Sequence, residues 1–596
     1  PAIVATLATM AGLVAAISHR PSVPVPEGEV ARLLDTFADV RGGAIHRRMS
    51  VPHWAHVGLL DIGAQATVER TGASWLAAVG AIHADSLLAA TPVEALDGQF
   101  AGVRYDADAR TVEVFTDPFG MQALYCATSG GHTYISTSAV ALARHLDAQP
   151  DELGMGVFLR AGYQIGPATH WRGIERIEPG IALTFRDGPP TRRVYWMPEV
   201  DEHVRSMTLD KTADHCADVL IDRIRRRLAG SPLSWADLTG GFDSRMVAGA
   251  AMRAGVSFVA NTSGDESDAD VRLARDVAAA CGFAWRHVPL PADWAIDGPS
   301  ARRAAAWADG ALDVFQLARV MRQHELKAEM SRRVITGGGG EHFNAFPWQH
   351  EFLRAGRSRT VNYEALLNMR YLKDVDSAML VRAPDAEVRE YFHERLRERA
   401  RRYAGEPNTT QLDAIYAYKS VGHFGAFRSA GEGVVRSEIP CYYRDIFVAA
   451  FSAHHRWRTN HRLQRRVMAR LSPALAAVRT TRGGSAEPIA ARNAHHLIPY
   501  YASVAQRAAR KLSRLGRPAL PASPRDAIVQ RNRRGLEALR RDGVFDLPNM
   551  RSAALYEPAK FDDFVARTAT ADTVDWPMVG RIATVELAMQ AASRQS

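Results

Sequence analysis

Cysteine is scarce in this chain. Four residues in 596, Cys126, Cys216, Cys281 and Cys441, stand far apart with neither a CxxC pair nor a Cys/His ligand spacing. That excludes a disulfide framework and a structural zinc site, and it makes a reducing cytoplasm the expected compartment. Charge is not concentrated in one sign: Lys and Arg number 74 against 65 Asp and Glu, and the net +9 suits an anionic substrate as well as a nucleic acid. Basic patches interleaved with aromatic residues are missing, so no nucleic-acid partner is expected. No internal repeat is visible. The most apolar stretch, residues 2–17, is short for a bilayer span and lacks the basic start of a signal peptide. It reads as a buried strand with its flank, and no membrane partner is expected.

What is present is ordinary in amount. Hydrophobic residues at 47% and charged residues at 23% mark a globular chain and exclude a disordered or collagen-like one. A chain of 596 residues exceeds what one hydrophobic core supports, so about two to four domains are expected. Residues 1–200 read as short β-rich runs between turn signals, for example at 112–116, 123–127 and 133–136. The segment 192–198, followed by acidic residues, reads as a strand leaving one domain, with the boundary near 200–208. From 209 the pattern becomes an amphipathic helix to 227, a strand at 233–238, a glycine turn and a helix over 244–254. That order opens a parallel α/β domain. Arg/Ala-rich amphipathic segments follow near 385–403, 462–477 and 505–541. Their arginine runs read as solvated helix faces, with phosphate or partner contacts as the other reading.

The sharpest local signal is Asp237-Leu238-Thr239-Gly240-Gly241-Phe242-Asp243-Ser244-Arg245, between a strand and an Ala-rich helix. Two glycines at a helix N-terminus expose backbone N–H groups, and the helix dipole adds positive potential, which together suit a phosphate. The hydroxyls of Thr239 and Ser244 add donors. Asp243 would repel a bare phosphate, so its place there predicts Mg²⁺ between them. The spacing fits neither a Walker A loop nor a GxGxxG fingerprint.

These residues resemble the S-G-G-x-D-S pyrophosphate loop of the asparagine-synthetase-like ATP pyrophosphatases. The stretch 258–264, FVANTSG, resembles that family's second parallel strand, which implies adenine contacts from Ala260, Asn261 and Thr262; Asp270 falls at its acidic position. The stretch 334–343, VITGGGGEHF, resembles the next strand and the S-G-x-G-x-D-E loop. That implies nucleotide contacts from Leu238, Thr239, Gly240, Gly241, Asp243, Ser244, Gly337 and Gly338, and a Mg²⁺ site on Asp243 and Glu341. An ordinary exposed glutamate is the other reading of Glu341. Upstream, LDGQFA at 96–101 with DPFG at 117–120 and ALY at 123–125 resembles the family's glutaminase domain. The resemblance therefore implies the α/β class. An α+β N-terminal Ntn-hydrolase-like sandwich over 1–205, structural in role, precedes an ATP-pyrophosphatase parallel α/β domain over 206–596 with helical extensions, helix-rich after about 345.

Several family features are changed. Pro1 stands where the family carries its nucleophilic cysteine and has no thiol. The segment 79–83, VGAIH, stands for the glutamine-binding N-G-E-x-Y and lacks its amide and carboxylate. No lysine occurs near 479–483, where the family has one; Arg479 or Arg482 is the candidate substitute for its positive charge. Glu432 or Glu438 is the candidate to orient a base, with a structural ion pair as the alternative. Arg245 reads either as a phosphate or carboxylate contact or as a surface arginine. Tyr416, Tyr418, Lys419 and His423 read as lining an acceptor pocket or as core.

The implied activity is an ATP- and Mg²⁺-dependent, AMP- and pyrophosphate-forming amide synthetase that works without glutamine, with Asp243, Ser244, Glu438, Arg479 and Arg482 as its catalytic set. Its specific form is an intramolecular macrolactam cyclase of the lasso-peptide kind. An intermolecular ligase using a small amine, or a nucleotide-binding scaffold, are the alternatives. The implied partners are a peptide or small carboxylate substrate and a protein that delivers or cleaves the precursor.

Overall fold

Strand β1 (Gly12–Ser18) is buried along its whole length because both of its faces are apolar. Leu13, Ala15 and Ile17 face a core between two sheets, while Val14 and Ala16 face helices Glu29–Arg41 and Ala139–Leu146. The computed structural model describes residues 11–20, 22–26, 28–42, 45–51, 54–60, 66–84, 88–372, 377–380, 385–499, 501–502, 505, 527–570 and 574–593. Pro1, most of the apolar stretch before β1 and the segment 506–526 lie outside the described residues.

Two antiparallel sheets build the first half. One contains β1, β2 (Ile45–Val51), β3 (Ala55–Leu60), β8 (Tyr125–Ser129), β9 (His132–Ser136) and β10 (Ile174–Arg176), in the order β10-β8-β9-β1-β3-β2. The other contains β4 (Ala66–Thr71), β5 (Ser74–His83), β6 (Asp97–Asp106), β7 (Thr111–Thr116), β11 (Ile181–Phe185) and β12 (Thr191–Val194), in the order β12-β11-β7-β6-β5-β4. Alternating side chains of both sheets, such as Ile135, Val79, Val103 and Phe185, fill the space between them.

After helix Leu209–Leu228, whose N-terminus Thr208 caps, the chain forms a wholly parallel sheet. It comprises β13 (Ser234–Asp237), β14 (Phe258–Thr262), β15 (Trp285–His287), β16 (Arg333–Ile335) and β17 (Arg436–Glu438), in the order β15-β14-β13-β16-β17. The order reverses between β13 and β16. Loops leaving the carboxyl ends of two such strands run to opposite faces of the sheet and open a crevice, which is where open α/β sheets bind ligands. Helices dominate beyond residue 345, and no helix among the described residues is long and apolar enough to cross a membrane.

The two halves share cores across the border expected near 205. Met155, Phe158 and Leu159 of helix Glu152–Ala161 pack with Ala304 and Trp307 of helix Gly298–Trp307 and with Val579 and Ile582 of helix Trp576–Ala592. Buried ions pin the same junction. Arg428 donates from Nε to Gln99 Oε1 at 3.0 Å and from Nη1 to Gln122 Oε1 at 2.7 Å, while its Nη2 lies 2.6 Å from Glu432 Oε1. Arg41 pairs with Asp309, which also accepts from Ser138 Oγ at 2.8 Å.

Removing one partner of a buried pair strands the other charge, at a cost of about 3–5 kcal/mol. Arg428→Met should therefore lower the thermal unfolding midpoint, whereas Arg226→Ala, which breaks an exposed pair with Asp222, should leave it unchanged. Equal midpoints for both variants in scanning calorimetry would refute the junction's dependence on Arg428.

Candidate active site

The chain leaves β13 at Asp237 and turns through Thr239, Gly240 and Gly241 into helix Asp243–Arg253. Side chains of the loop brace the turn. Ser244 Oγ accepts from Thr239 N at 3.0 Å and bonds Thr239 Oγ1 at 2.8 Å, and Thr239 Oγ1 accepts from Gly241 N at 3.1 Å. Asp270 Oδ1, on helix Ala269–Cys281, accepts from Gly240 N at 2.9 Å. Thr239, Ser244 and the turn's own amides thus hold its shape. The helix N-terminus beyond them, at Phe242, carries no side-chain cap. Its first-turn amides are the donors left for an anion.

The loop after β16 closes against this turn. A Cβ on Gly337 would stand 2.4 Å from Ser244 N, and one on Gly340 would stand 2.4 Å from Asp243 Cβ. Any side chain at either position collides with backbone or with the carboxylate's own stem. Gly339 between them has φ of 82°, in the left-handed region that favours glycine. The glycine run thus serves close approach, and it brings Glu341 to Asp243.

Both carboxyls are buried, and burial is the main cause that raises each above its ordinary range; for Asp243 the Glu341 charge adds to it, against the Gln464 hydrogen bond and Arg482. Gln464 Nε2 donates to Asp243 Oδ1 and, at 3.1 Å, to Gly340 O. Glu341 Oε2 is buried without a hydrogen-bond partner among the described residues. Two facing carboxylates with an orphaned oxygen fit a hard divalent cation. Among the described residues no third His, Cys, Asp or Glu joins them, the pattern expected of Mg²⁺ completed by phosphate oxygens and water.

At the end of β14, Asn261 is 1% exposed, yet neither its Oδ1 nor its Nδ2 has a partner. A buried amide with both ends unsatisfied is costly unless a ligand edge completes it. Its register partner Asp237 accepts from Lys327 Nζ at 2.7 Å. Thr262 Oγ1 is spent on Leu238 O at 2.8 Å, and Leu238 and Ala260 are fully buried in the core. Of these expected nucleotide contacts, Leu238, Ala260 and Thr262 are left to act through the backbone.

The sequence readings of the charged residues divide. Arg245 is neither a phosphate contact nor on the surface: it is 0% exposed and donates to Gly240 O at 3.2 Å, Val478 O at 2.9 Å and Arg479 O at 2.8 Å. It clamps the 478–482 segment onto the glycine turn. Arg482 then lies near enough to Asp243 to hold its pKa down, while Arg479 is exposed and reaches only Gly483 O at 3.4 Å. Glu438 requires a correction. It accepts from Tyr443 Oη at 2.9 Å and pairs with Arg436 at 3.2 Å. Burial pushes Glu438 up, but Arg436, His83, Arg428 and Tyr443 outweigh burial and hold it below its ordinary value. It is a structural ion toward the first half of the chain, as is Glu432 with Arg428.

Gln464 is the functional-site residue that sequence reasoning missed. Its signal was available: an uncharged polar residue on the buried face of helix Arg462–Leu471, beside Leu463, Val467 and Met468. His461 Nδ1 bonds Gln464 Oε1 at 2.6 Å, and its ring stacks on Phe242 at 4.3 Å. Tyr416 and Tyr418 are core residues, 7% and 6% exposed. Lys419 is different: burial, then Arg370, lower it to about 8 against the pull of Glu341.

Residues 81–196 match the glutamine amidotransferase domain family. A Mycobacterium tuberculosis protein that carries the name asparagine synthetase (glutamine-hydrolyzing) is 25% identical over 252 residues, 39% of this chain and 38% of that protein. Asparagine synthetase (glutamine-hydrolyzing) 3 of Bacillus subtilis is 28% identical over 159 residues, 26% of this chain and 25% of its own length. The chain thus spans well under half the length of these relatives. Among solved structures, the glutamine phosphoribosylpyrophosphate amidotransferase of B. subtilis aligns with a TM-score of 0.22 at 10% identity, over 49% of this chain and 67% of that one.

Each hydrogen bond from a charged donor contributes about 1.5–3 kcal/mol, so Arg245→Met should speed tryptic cleavage after Arg479 and Arg482 by about tenfold or more; an unchanged rate would show that the clamp does not hold the segment. Asp243 protonates at higher pH folded than unfolded, so its ionisation costs stability as pH rises through the folded value. Asp243→Asn should therefore raise the metal-free unfolding midpoint at about pH 8 and lose that gain at about pH 3, below the ordinary carboxylate range. A gain independent of pH would contradict the buried-pair assignment.

Proposed function

Because the chain is asparagine synthetase-like in sequence, we propose that it is an ATP-dependent amide-bond synthetase. It forms AMP and pyrophosphate, works without glutamine, and closes an amide within one substrate as a macrolactam cyclase of the lasso-peptide kind. The observation that carries the reading is the Asp243/Glu341 pair at the crevice between β13 and β16, facing an uncapped helix N-terminus. Asp243 and Glu341 hold Mg²⁺, and the amides at the start of helix Asp243–Arg253 receive phosphate oxygens. Asn261 meets the base edge through its unsatisfied amide. Arg482, held in place through Arg245, supplies positive charge beside Asp243.

The substrate carboxylate attacks the α-phosphorus of ATP, the bond to the bridging oxygen breaks, and pyrophosphate leaves with the electron pair. An amine of the same substrate then attacks the acyl carbon, AMP departs, and the amine proton passes to a base. Mg²⁺ supplies charge neutralisation on the leaving pyrophosphate. Holding amine and acyl group in one site supplies effective concentration. Glutamine independence is supported by 79–83, a run of β5 paired to β6 that offers Val, Gly, Ala, Ile and His and thus no amide or carboxylate side chain to grip glutamine. A peptide substrate implies a partner protein that delivers it.

The test is nucleotide product analysis with Mg·ATP and no glutamine, offering linear precursor peptides, amino acids with ammonium, or no acceptor. AMP and pyrophosphate with a peptide product lighter by one water support the cyclase, and AMP with small acceptors moves the reading to an intermolecular ligase. Nucleotide bound without turnover would make the chain a scaffold. Asp243→Ala should abolish turnover with the fold intact, and Mg·ATP affinity should weaken as pH falls from about 8 toward the ordinary carboxylate range, since protons compete for the raised pair; retained turnover in Asp243→Ala would refute the site.

A further inference from the structure

Lys419 is a half-buried cation on which Glu341 acts only from a distance. Its ammonium stacks on the Tyr163 ring at 4.6 Å, and among the described residues no hydrogen bond or ion pair engages it. Buried charges are ordinarily paired, as Arg428, Arg41 and Arg458 are in this chain. Lys419 instead lines a cavity of about 420 Å³ together with His423, Tyr163, Phe315, Trp576 and Arg581. Asp313 lines the cavity too but is offset by Arg581, and burial holds His423 neutral, so three aromatic rings with the Lys419 charge to spare describe a pocket for an organic anion.

The cavity adjoins the candidate active site. His423 meets Phe424 edge-on at 5.3 Å, and Phe424 lies 3.5 Å from where a Cβ on Gly338 would be. One aromatic layer therefore separates the cavity from the glycine loop after β16. Lys419 and His423 stand four residues apart where helix Asn408–Ser420 passes into a π-helical turn at Val421–Gly425, and Arg370 comes from a second π-turn, Leu367–Tyr371. Such turns are rare and concentrate at functional sites.

We propose that this cavity binds the carboxylate-bearing part of the substrate, with the Lys419 ammonium as its anion contact and Tyr163, Phe315 and Trp576 as walls for the attached chain. The assignment rests on the synthetase reading above and names where its substrate enters. A carboxylate approaching a triphosphate meets repulsion, and a cation between the cavity and Glu341 offsets it. A phosphate is the other anion that suits Lys419. The aromatic walls favour the carboxylate, and the phosphate side already has Arg482.

The test is calorimetric titration of the full chain, with Mg²⁺ and a non-cleavable ATP analogue, using a mixed set of N-acetylated dipeptides, their carboxamide twins, and inorganic pyrophosphate. Carboxylates should bind at least about tenfold more tightly than carboxamides. Lys419→Met should abolish that preference, Lys419→Arg should retain it, and Gln316→Trp, which fills the cavity from its exposed wall, should weaken both peptides. The analogue's affinity should be unchanged in Lys419→Arg and Gln316→Trp, which keep the charge facing Glu341. No dipeptide binding, equal binding of the twins, or a preference that survives Lys419→Met would overturn the proposal, as would loss of pyrophosphate binding in Lys419→Met with the dipeptides unaffected. An analogue that fails to bind wild-type protein, beside a Lys419-dependent carboxylate preference, would sink the synthetase reading and leave the cavity standing.

Discussion

The mutual repulsion of two buried carboxylates, Asp243 and Glu341, is the constraint around which the second half of the chain is arranged. Among the described residues nothing neutralises the pair fully: Gln464 gives one hydrogen bond to Asp243, Arg482 and Lys419 act from a distance, and Glu341 Oε2 has no hydrogen-bond partner. Such a pair persists only where the surrounding structure over-determines it. Here the constraint is steric, because Gly337 and Gly340 lie so close to Asp243 and Ser244 that the loops cannot be parted by a rotamer change. The resulting negative crevice is costly empty and favourable once a cation and phosphates enter.

Buried cations set the remaining geometry, and how each is satisfied tells what it does. Arg245 is satisfied by backbone carbonyls of its own turn and of residues 478 and 479, so it fixes a loop. Arg428 is satisfied by Glu432 and two glutamines of the first half, so it fixes a junction. Lys419, with an aromatic ring and, among the described residues, no hydrogen bond or ion pair, is the exception among them. The same reasoning separates Glu438 from Glu341: one has Tyr443 and Arg436, the other has an orphaned oxygen.

The first half is bound to this arrangement through packing as well as charge. Helix Glu152–Ala161 and the C-terminal helix Trp576–Ala592 share one core with helix Gly298–Trp307. Tyr163, just past the first of these helices, and Trp576 and Arg581 on the second reach the cavity beside Lys419. A module whose strand β5 has no glutamine-gripping side chain therefore still supplies part of the wall around the candidate substrate pocket.

The sequence by itself determined the parallel strand, glycine turn and helix at 234–253 and the second glycine run, while the meeting of Asp243 with Glu341 was only implied by resemblance, with an exposed glutamate as the other reading. Those features are local: glycine is demanded by close backbone approach, and a carboxylate beside a phosphate-type turn demands a cation. The short β-rich runs of 1–200 were legible as well, while their stacking as a sandwich was what the resemblance implied. Only the tertiary structure decided what the isolated charges do. Arg245, Glu438, Lys419 and Gln464 look alike in sequence as polar residues on helices or strand ends. Arg245 and Gln464 take their roles from partners more than two hundred residues away, Glu438 from burial beside Arg436 and Tyr443, and Lys419 from the want of a hydrogen bond or ion pair among the described residues; burial sets the energetic weight of each contact, which no local pattern encodes.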